Sequence, residues 1–203
     1  MISVSWAGGL CRVMLDRPDK ANALTEKMLA ALADAAEEAA DRAHVFVVTG
    51  AGGVFSAGAD LAEARAGLAT SPAWERASGA IAGLPCLTIA ALNGTCAGGA
   101  MGAALACDLR VAVPNAQFFY PVMKLGFLPQ PSDPARLAAL VGPARAKAIL
   151  MGGRRIASGE ALAWGLVDAV VDEMGLDAAV EDLAAAALGA ERTHVAAIKA
   201  LVP

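Results

Sequence analysis

The residues with the clearest chemical potential lie in two glycine-rich turns, each between an apolar stretch and a helical one. The first turn follows the apolar residues 45–49 and ends in Ala57-Gly58-Ala59-Asp60, and the second follows the apolar residues 86–92 and contains Gly98-Gly99. Backbone N–H groups at a helix start have no helical partner, and a ligand oxygen can approach them closely where no Cβ is present. Two such turns can each give one N–H to a single oxygen, which is how an oxyanion hole is built. The competing interpretation is a small-residue packing site, where a helix lies close to a sheet.

These turns must be positioned by the alternating strands and helices around them. The sequence predicts a hairpin over residues 2–6 and 10–15, and further strands over 45–48, 86–92, 109–113, 117–119 and 166–171. Thr25 is the predicted N-cap of a helix over 26–40, and a helix begins at Gly98-Gly99 and ends near residue 107. Further helices are predicted over 61–68, 73–83, 131–140, 144–151, 158–164, 176–188 and 191–201. Strands that alternate with helices indicate parallel βαβ units and an α/β fold.

Composition excludes several classes of function. Hydrophobic residues make up 57% of the 203-residue chain. This fraction predicts a large hydrophobic core and excludes an intrinsically disordered protein. The net charge of −4 without a basic cluster argues against nucleic acid as a partner. The sequence contains no apolar run long enough to span a membrane and no secretory signal at its start, so we expect a cytoplasmic protein. The four cysteines have no metal-site spacing, so we expect buried free thiols and no metal.

Five blocks in the right order resemble the crotonase family, the enoyl-CoA hydratase/isomerase superfamily. They are residues 15–24 (LDRPDKANAL), 55–61 (FSAGADL), 93–108 (NGTCAGGAMGAALACD), 116–126 with Pro129, and 152–168. The resemblance implies a repeated ββα spiral with a helical C-terminal region, which in the family builds trimers. It divides the chain into a spiral core with the acyl-CoA site (1–140) and a helical region, in the same domain or as a small appendage (141–203). Family members usually continue for several helical turns beyond the position of Pro203, so this region is shortened.

The resemblance also implies a site for a coenzyme A thioester, which is a substrate and not a permanently bound cofactor. The oxyanion hole would consist of the backbone N–H groups of Ala57 and Gly99. Residues 57–60, that is Ala57, Gly58, Ala59 and Asp60, would line the acyl-CoA path. In the family the adenine is held by backbone near residues 19–24, which makes Ala21 and Ala23 candidates for that contact.

The acid–base residues depart from the family pattern. Hydratases of the family use two glutamates, and the matching positions here are Gly102 and Val122. Neither residue can hold a proton, so standard hydration of an enoyl thioester has neither its acid nor its base. Tyr120 and Lys124 are the candidate substitutes, because each lies two residues from Val122 and would share its face in an extended segment. Asp133 is a further candidate at the mouth of the pocket, and Asp60 is more simply explained as a capping residue.

Three functional hypotheses from different classes follow. The first is an enzyme that relies on the oxyanion hole and few side-chain acids, such as a decarboxylase, a thioester hydrolase or an isomerase-type enzyme. The second is a catalytically degenerate module that binds an acyl thioester of coenzyme A or of an acyl carrier protein. The third is a structural subunit of a hetero-oligomer. The apolar, alanine-rich tail also predicts a homo-oligomer, a trimer or a hexamer.

Overall fold

Ten β-strands form two sheets in the computed structural model, which describes residues 1–202. In chain order they are β1 (Ile2–Ala7), β2 (Leu10–Leu15), β3 (Val45–Gly50), β4 (Val54–Ser56), β5 (Leu87–Leu92), β6 (Thr95–Ala97), β7 (Leu109–Ala112), β8 (Gln117–Phe119), β9 (Ile156–Ala157) and β10 (Ala169–Val170). The larger sheet has the order β1-β2-β3-β5-β7-β10, and the smaller one has the order β4-β6-β8-β9.

The larger sheet is parallel except for the predicted hairpin, β1 and β2. Its central strand β3 is buried at every position, as a strand must be when both faces of a parallel sheet are covered. The predicted α/β fold with a parallel sheet is therefore confirmed.

Ten α-helices accompany the strands within residues 1–202. They are α1 (Glu26–Ala39), α2 (Leu61–Arg65), α3 (Ala73–Ala82), α4 (Ala100–Leu105), α5 (Val122–Leu125), α6 (Asp133–Val141), α7 (Pro143–Leu150), α8 (Ser158–Trp164), α9 (Leu176–Leu188) and α10 (Arg192–Leu201). Thr25 caps α1 as predicted, because its side chain accepts the N–H of Met28.

The chain repeats one unit, which is a long strand, a short strand and then a helix. The units β3-β4-α2, β5-β6-α4 and β7-β8-α5 each place one strand in each sheet before their helix. This is the repeated ββα spiral that the resemblance implies. The small sheet was not predicted beyond residues 117–119, because β4 and β6 are three residues long and carry no hydrophobic alternation of their own.

Three other predictions need correction. The predicted helix 61–68 ends at Arg65, and a 3₁₀ turn, Leu68–Thr70, follows it. The predicted strand 166–171 is only Ala169–Val170. The segment around Lys124 is not extended, since it forms the short helix α5.

The predicted boundary near residue 140 falls at the end of α6 and stays a prediction. Buried side chains from both sides of it, Leu137, Ile149 and Val180 among them, belong to one hydrophobic core, which favours the single-domain alternative. In the described part of the chain, no helix combines the length and the apolar character that crossing a membrane requires.

The buried guanidinium of Arg110 ties β7 to the segment before β10. Arg110 is 3% exposed, and it donates to the carbonyl oxygens of Cys107 at 2.6 Å, Leu166 at 2.9 Å and Asp108 at 3.1 Å. Its fourth contact, to Asp168, is 3.5 Å long and partly exposed, so it adds less than the three carbonyl contacts.

Replacing Arg110 should therefore destabilise the fold through the carbonyl groups that it leaves unpaired. We expect Arg110→Met to lower the free energy of unfolding by about 3 kcal/mol, because buried acceptors that lose a charged donor lose its hydrogen bonds and keep their desolvation penalty. Urea unfolding followed by circular dichroism measures the change, with Arg65→Met, at an exposed position, as the matched control. Equal unfolding midpoints for the two variants would contradict this role of Arg110.

Candidate functional site

Two asparagine side chains fix the shape of the first glycine-rich turn. The Asn93 carboxamide accepts the N–H of Gly50 at 3.0 Å and donates to the carbonyl oxygen of Gly52 at 2.7 Å. Asn22 is fully buried and donates to the carbonyl oxygen of Val54 at 2.7 Å. Because these polar groups of the turn are satisfied within the protein, the turn has a defined conformation before any ligand binds.

The two turns approach each other through glycine backbone. Gly58 and Gly98 have φ angles of +94° and +56°, which are unfavourable for residues with a side chain. A Cβ at Gly58 would lie 2.8 Å from the carbonyl oxygen of Ala97 and 3.5 Å from the Cα of Gly98. Glycine at position 58 is therefore what allows the two turns to meet.

The predicted oxyanion donor Ala57 is wrong. Its N–H donates to the carbonyl oxygen of Ala21 at 2.9 Å, so it already has a partner inside the protein. The next N–H along the chain is also engaged, because that of Gly58 donates to the Ser56 hydroxyl at 3.1 Å.

The N–H of Ala59 takes the place assigned to Ala57. Ala59 forms an isolated parallel bridge with Leu24, made by the carbonyl of Gly58 at 2.7 Å and the N–H of Asp60 at 2.8 Å. In such a bridge the central residue directs its own N–H away from the partner strand. Among residues 1–202, neither this N–H nor that of Gly99 has an acceptor.

A cavity of about 310 Å³ opens at these two residues, and most of its surface is apolar. Ala59 and Gly99 lie in its lining, together with Ala57, Gly98, Trp74, Tyr120, Pro121, Val122, Lys124, Gln130 and Arg155. Exposed apolar side chains extend the wall outward, among them Leu61, Leu125 and Leu128. The cavity thus combines apolar walls with two backbone donors, as expected of a site for a mainly apolar ligand with one oxygen to fix.

The indole of Trp74 packs directly against Gly99. It donates to the carbonyl oxygen of Leu68 at 2.7 Å, and the residue is 4% exposed. A Cβ at Gly99 would lie 2.8 Å from an indole ring carbon. Any side chain at position 99 must therefore displace the tryptophan.

The two positions of the family glutamates differ in their surroundings. Val122 lines the cavity and is 7% exposed. Gly102 lies on α4, and the space beside it is filled by another side chain. A Cβ at Gly102 would lie 2.8 Å and 3.0 Å from the two carboxylate oxygens of Asp133.

The prediction that Asp133 lies at the mouth of the pocket is therefore wrong. Asp133 is buried behind the cavity, with 1% exposure. Its Oδ2 accepts the hydroxyl proton of Tyr120 at 2.9 Å, and the same hydroxyl accepts the N–H of Gln130 at 3.3 Å. Its Oδ1 is buried without a hydrogen-bond partner among the described residues. Burial raises the pKa of Asp133 to about 6, against the opposing effect of the Tyr120 hydrogen bond. Burial, and then the charge of Asp133, also raises the pKa of Tyr120 far above its usual value.

The remaining predicted contacts have structural partners. Asp60 caps α2 and pairs with Arg17 at 2.8 Å, and this hydrogen bond lowers the pKa of Asp60. The carbonyl oxygen of Ala23 accepts a hydrogen bond from the Arg17 guanidinium at 3.2 Å. The carbonyl oxygen of Ala21 accepts the N–H of Ala57, as described above. Ala21, Ala23, Gly58 and Asp60 do not line the cavity, and their contact with coenzyme A stays a prediction.

The four cysteines, Cys11, Cys86, Cys96 and Cys107, are free and buried, as predicted. Burial raises the pKa of Cys11 and of Cys86 to about 11, so both are uncharged thiols near neutral pH.

Sequence reasoning missed three features of the site. The choice between Ala57 and Ala59 depends on which N–H already has a partner, and residue types do not reveal that. Trp74 comes from a helix that carries no motif. Arg155 lies with its guanidinium 4.0 Å from the centre of the Phe119 ring at the cavity wall, and only the pairing of β8 with β9 brings the two together.

Comparison with known proteins identifies the family of this fold. The family model described as enoyl-CoA hydratase/isomerase matches residues 6–202. A carnitinyl-CoA dehydratase of Salmonella enteritidis is 37% identical over 201 residues, covering 95% of this chain and 76% of its own. An enoyl-CoA hydratase from Mycobacterium avium has a TM-score of 0.91 at 34% identity, over 99% of this chain and 83% of its own. An enoyl-CoA hydratase/carnithine racemase from Magnetospirillum magneticum has a TM-score of 0.90 at 30% identity, over 99% and 79%. The chain belongs to the enoyl-CoA hydratase/isomerase family and has the crotonase fold.

Proposed function

We propose that the chain binds an acyl thioester of coenzyme A, or of an acyl carrier protein, and polarises its carbonyl oxygen. The observation that carries the proposal is the pair of N–H groups, of Ala59 and Gly99, that line one apolar cavity without a protein acceptor. Two donors aimed at one oxygen stabilise the negative charge that develops on an enolate or a tetrahedral intermediate. Two of the relatives have names that refer to coenzyme A thioesters, a carnitinyl-CoA dehydratase and an enoyl-CoA hydratase, and these names support this substrate class.

The reaction that fits the site best forms an enolate or an oxyanion without the two family glutamates. In a decarboxylation the bond to the leaving carboxylate supplies the electron pair, so no protein base is needed for that step. Thioester hydrolysis and isomerase-type chemistry are the other members of this class. The alternative is a module that binds an acyl thioester without turnover, or a structural subunit of a hetero-oligomer.

Proline at position 99 tests the oxyanion hole, because it removes the N–H itself. Its Cβ also meets Trp74, so Gly99→Ala, which has the same Cβ but keeps the N–H, is the matched control. The ligands are butyryl-CoA and the thioether butyl-CoA, which lacks the carbonyl oxygen, and calorimetry gives the preference for the first. We expect Gly99→Pro to reduce that preference about fivefold, since a neutral hydrogen bond contributes about 1 kcal/mol.

Gly99→Ala should retain the preference even if both ligands bind more weakly. Circular dichroism shows whether each variant keeps its fold. An equal preference in the parent and in Gly99→Pro would remove Gly99 from the site and move the structural-subunit hypothesis ahead.

Hydration of crotonyl-CoA should be negligible, because Gly102 and Val122 supply neither acid nor base at the family positions. Loss of the enone absorbance at high protein concentration measures the reaction. A turnover number in the ordinary enzymatic range of about 1–10³ per second would contradict the proposed reaction class.

We also propose that the chain forms a homo-oligomer, a trimer or a hexamer. The helix α10 has no buried residue, and its Ile198 and Leu201 are 51% and 81% exposed, so residues 1–202 do not cover its apolar face. Light scattering at micromolar concentration should give a multiple of the 20.3 kDa chain mass, and a monodisperse monomer would refute the proposal. A cytoplasmic location stays a prediction.

A further inference from the structure

The buried carboxylate of Asp133 lies where a side chain at position 102 would begin. Both of its oxygens come within 3.0 Å of the position of a Cβ on Gly102. The carboxylate is supplied by α6 and not by α4, and it fits only because residue 102 is glycine. The chain therefore has glycine on α4 and a carboxylate in the space beside it.

Asp133 reaches the cavity through one side chain. Its partner Tyr120 lies in the cavity lining, as does Gln130, whose N–H fixes the Tyr120 oxygen from another side. The second oxygen of Asp133 is buried without a partner among residues 1–202. Because one carboxylate oxygen has no hydrogen-bond partner, Asp133 can bind a proton and still remain hydrogen-bonded to Tyr120.

We propose that Asp133 is the positioning carboxylate of this site, and that it stores the proton which Tyr120 exchanges with the α-carbon of the bound thioester. This inference rests on the proposed function, because it needs a thioester whose enolate is stabilised at Ala59 and Gly99. Tyr120 is the catalytic residue in this scheme, and Asp133 acts through it.

The hydrogen bonds at the Tyr120 hydroxyl determine how the proton moves. When Asp133 is protonated, it donates to the Tyr120 oxygen, which already accepts from Gln130, and the tyrosine proton is free to face the cavity. The enolate carbon then takes that proton as its C–H bond forms, and the Tyr120 oxygen takes the proton of Asp133. Asp133 is left as a carboxylate, and Tyr120 is neutral before and after. Removal of an α-proton runs through the same steps in reverse.

Several charged or titratable groups face Asp133 and influence its pKa. Arg136, on the same helix, favours the carboxylate, and Glu75 of α3 disfavours it. Glu75 is held by the N–H and hydroxyl of Ser132, next to Asp133 in the chain. The thiol of Cys96 on β6 has its own pKa raised by burial and by the charge of Asp133, so it stays neutral. Burial outweighs these groups and leaves the pKa of Asp133 at about 6.

Exchange of the α-protons of butyryl-CoA with D₂O, followed by mass spectrometry, tests the relay. The parent should catalyse exchange at a rate that rises with pH and levels off above about 6, where Asp133 is ionised and can accept a proton. We expect Asp133→Asn and Tyr120→Phe each to slow exchange about 100-fold or more, a usual contribution of acid–base catalysis. The double variant should be no slower than either single one, because the two residues act as a unit. Asp172→Asn, an exposed aspartate, is the matched control.

The pH profile separates a proton store from a merely structural aspartate. Asparagine keeps the shape of Asp133 and can still accept from Tyr120, but it cannot bind a proton, so Asp133→Asn should lose the inflection near pH 6. Exchange by Asp133→Asn at the parental rate and with the parental pH profile would overturn the inference and leave the proposed function standing. So would a parent that binds butyryl-CoA by calorimetry and exchanges none of its α-protons. Absence of butyryl-CoA binding would overturn both.

A stability cycle tests the placement of Asp133 independently of activity. Gly102→Ala should lower the melting temperature of the parent, because the added methyl lies 2.8 Å from a carboxylate oxygen. In an Asp133→Gly background the same change should raise it, since alanine is favoured over glycine inside a helix. A change of the same sign and size in both backgrounds would show that Asp133 does not occupy this space, and would overturn the inference.

Discussion

The site depends on the approach of two backbone turns to a distance that no side chain permits. A Cβ at Gly58 would come within 2.8 Å of the second turn, and one at Gly99 within 2.8 Å of Trp74. Parallel pairing of β4 with β6 brings the turns side by side, and the carboxamides of Asn22 and Asn93 hold the first of them. Because the donors are backbone groups of a packed fold, they need no reorganisation when a ligand oxygen arrives.

The order of strands and helices could be predicted from the sequence because it depends on local patterns. Apolar runs such as β3 and capped helices such as α1 carry their own signals, and the glycine turns mark where the chain changes direction. The direction in which each backbone N–H of a turn points cannot be predicted from such local patterns. Ala57 and Ala59 have the same side chain two residues apart, and only the bridge to Leu24 decides which N–H faces the cavity. That decision is made by a bridge residue more than thirty residues away in the sequence.

The same limit explains why the acidic residue of the site was misplaced. Considered alone, Gly102 indicates that an acid is missing at this position of α4. The structure instead pairs Gly102 with Asp133, whose carboxylate fills the space that the glycine leaves. A small residue on one helix and a larger one on its neighbour form a complementary pair, and a single sequence does not show which residues are partners. The short helix α5 likewise replaces the extended geometry expected around Lys124, although Lys124 and Tyr120 both line the cavity.

The energetics of Asp133 also favour a functional explanation over a structural one. A buried carboxylate with an unpartnered oxygen destabilises the fold, and its raised pKa means that this penalty grows as the pH rises from about 4 toward 6. Glycine or asparagine at position 133 would avoid most of that penalty. Folded proteins tolerate such local conflicts mainly where the group does chemistry, and the conflict here adjoins the one tyrosine of the chain, in the wall of the cavity. The two backbone donors can stabilise charge but cannot move a proton. Proton transfer at this site needs a neighbouring group whose pKa lies near neutral. Asp133, acting through Tyr120, is such a group.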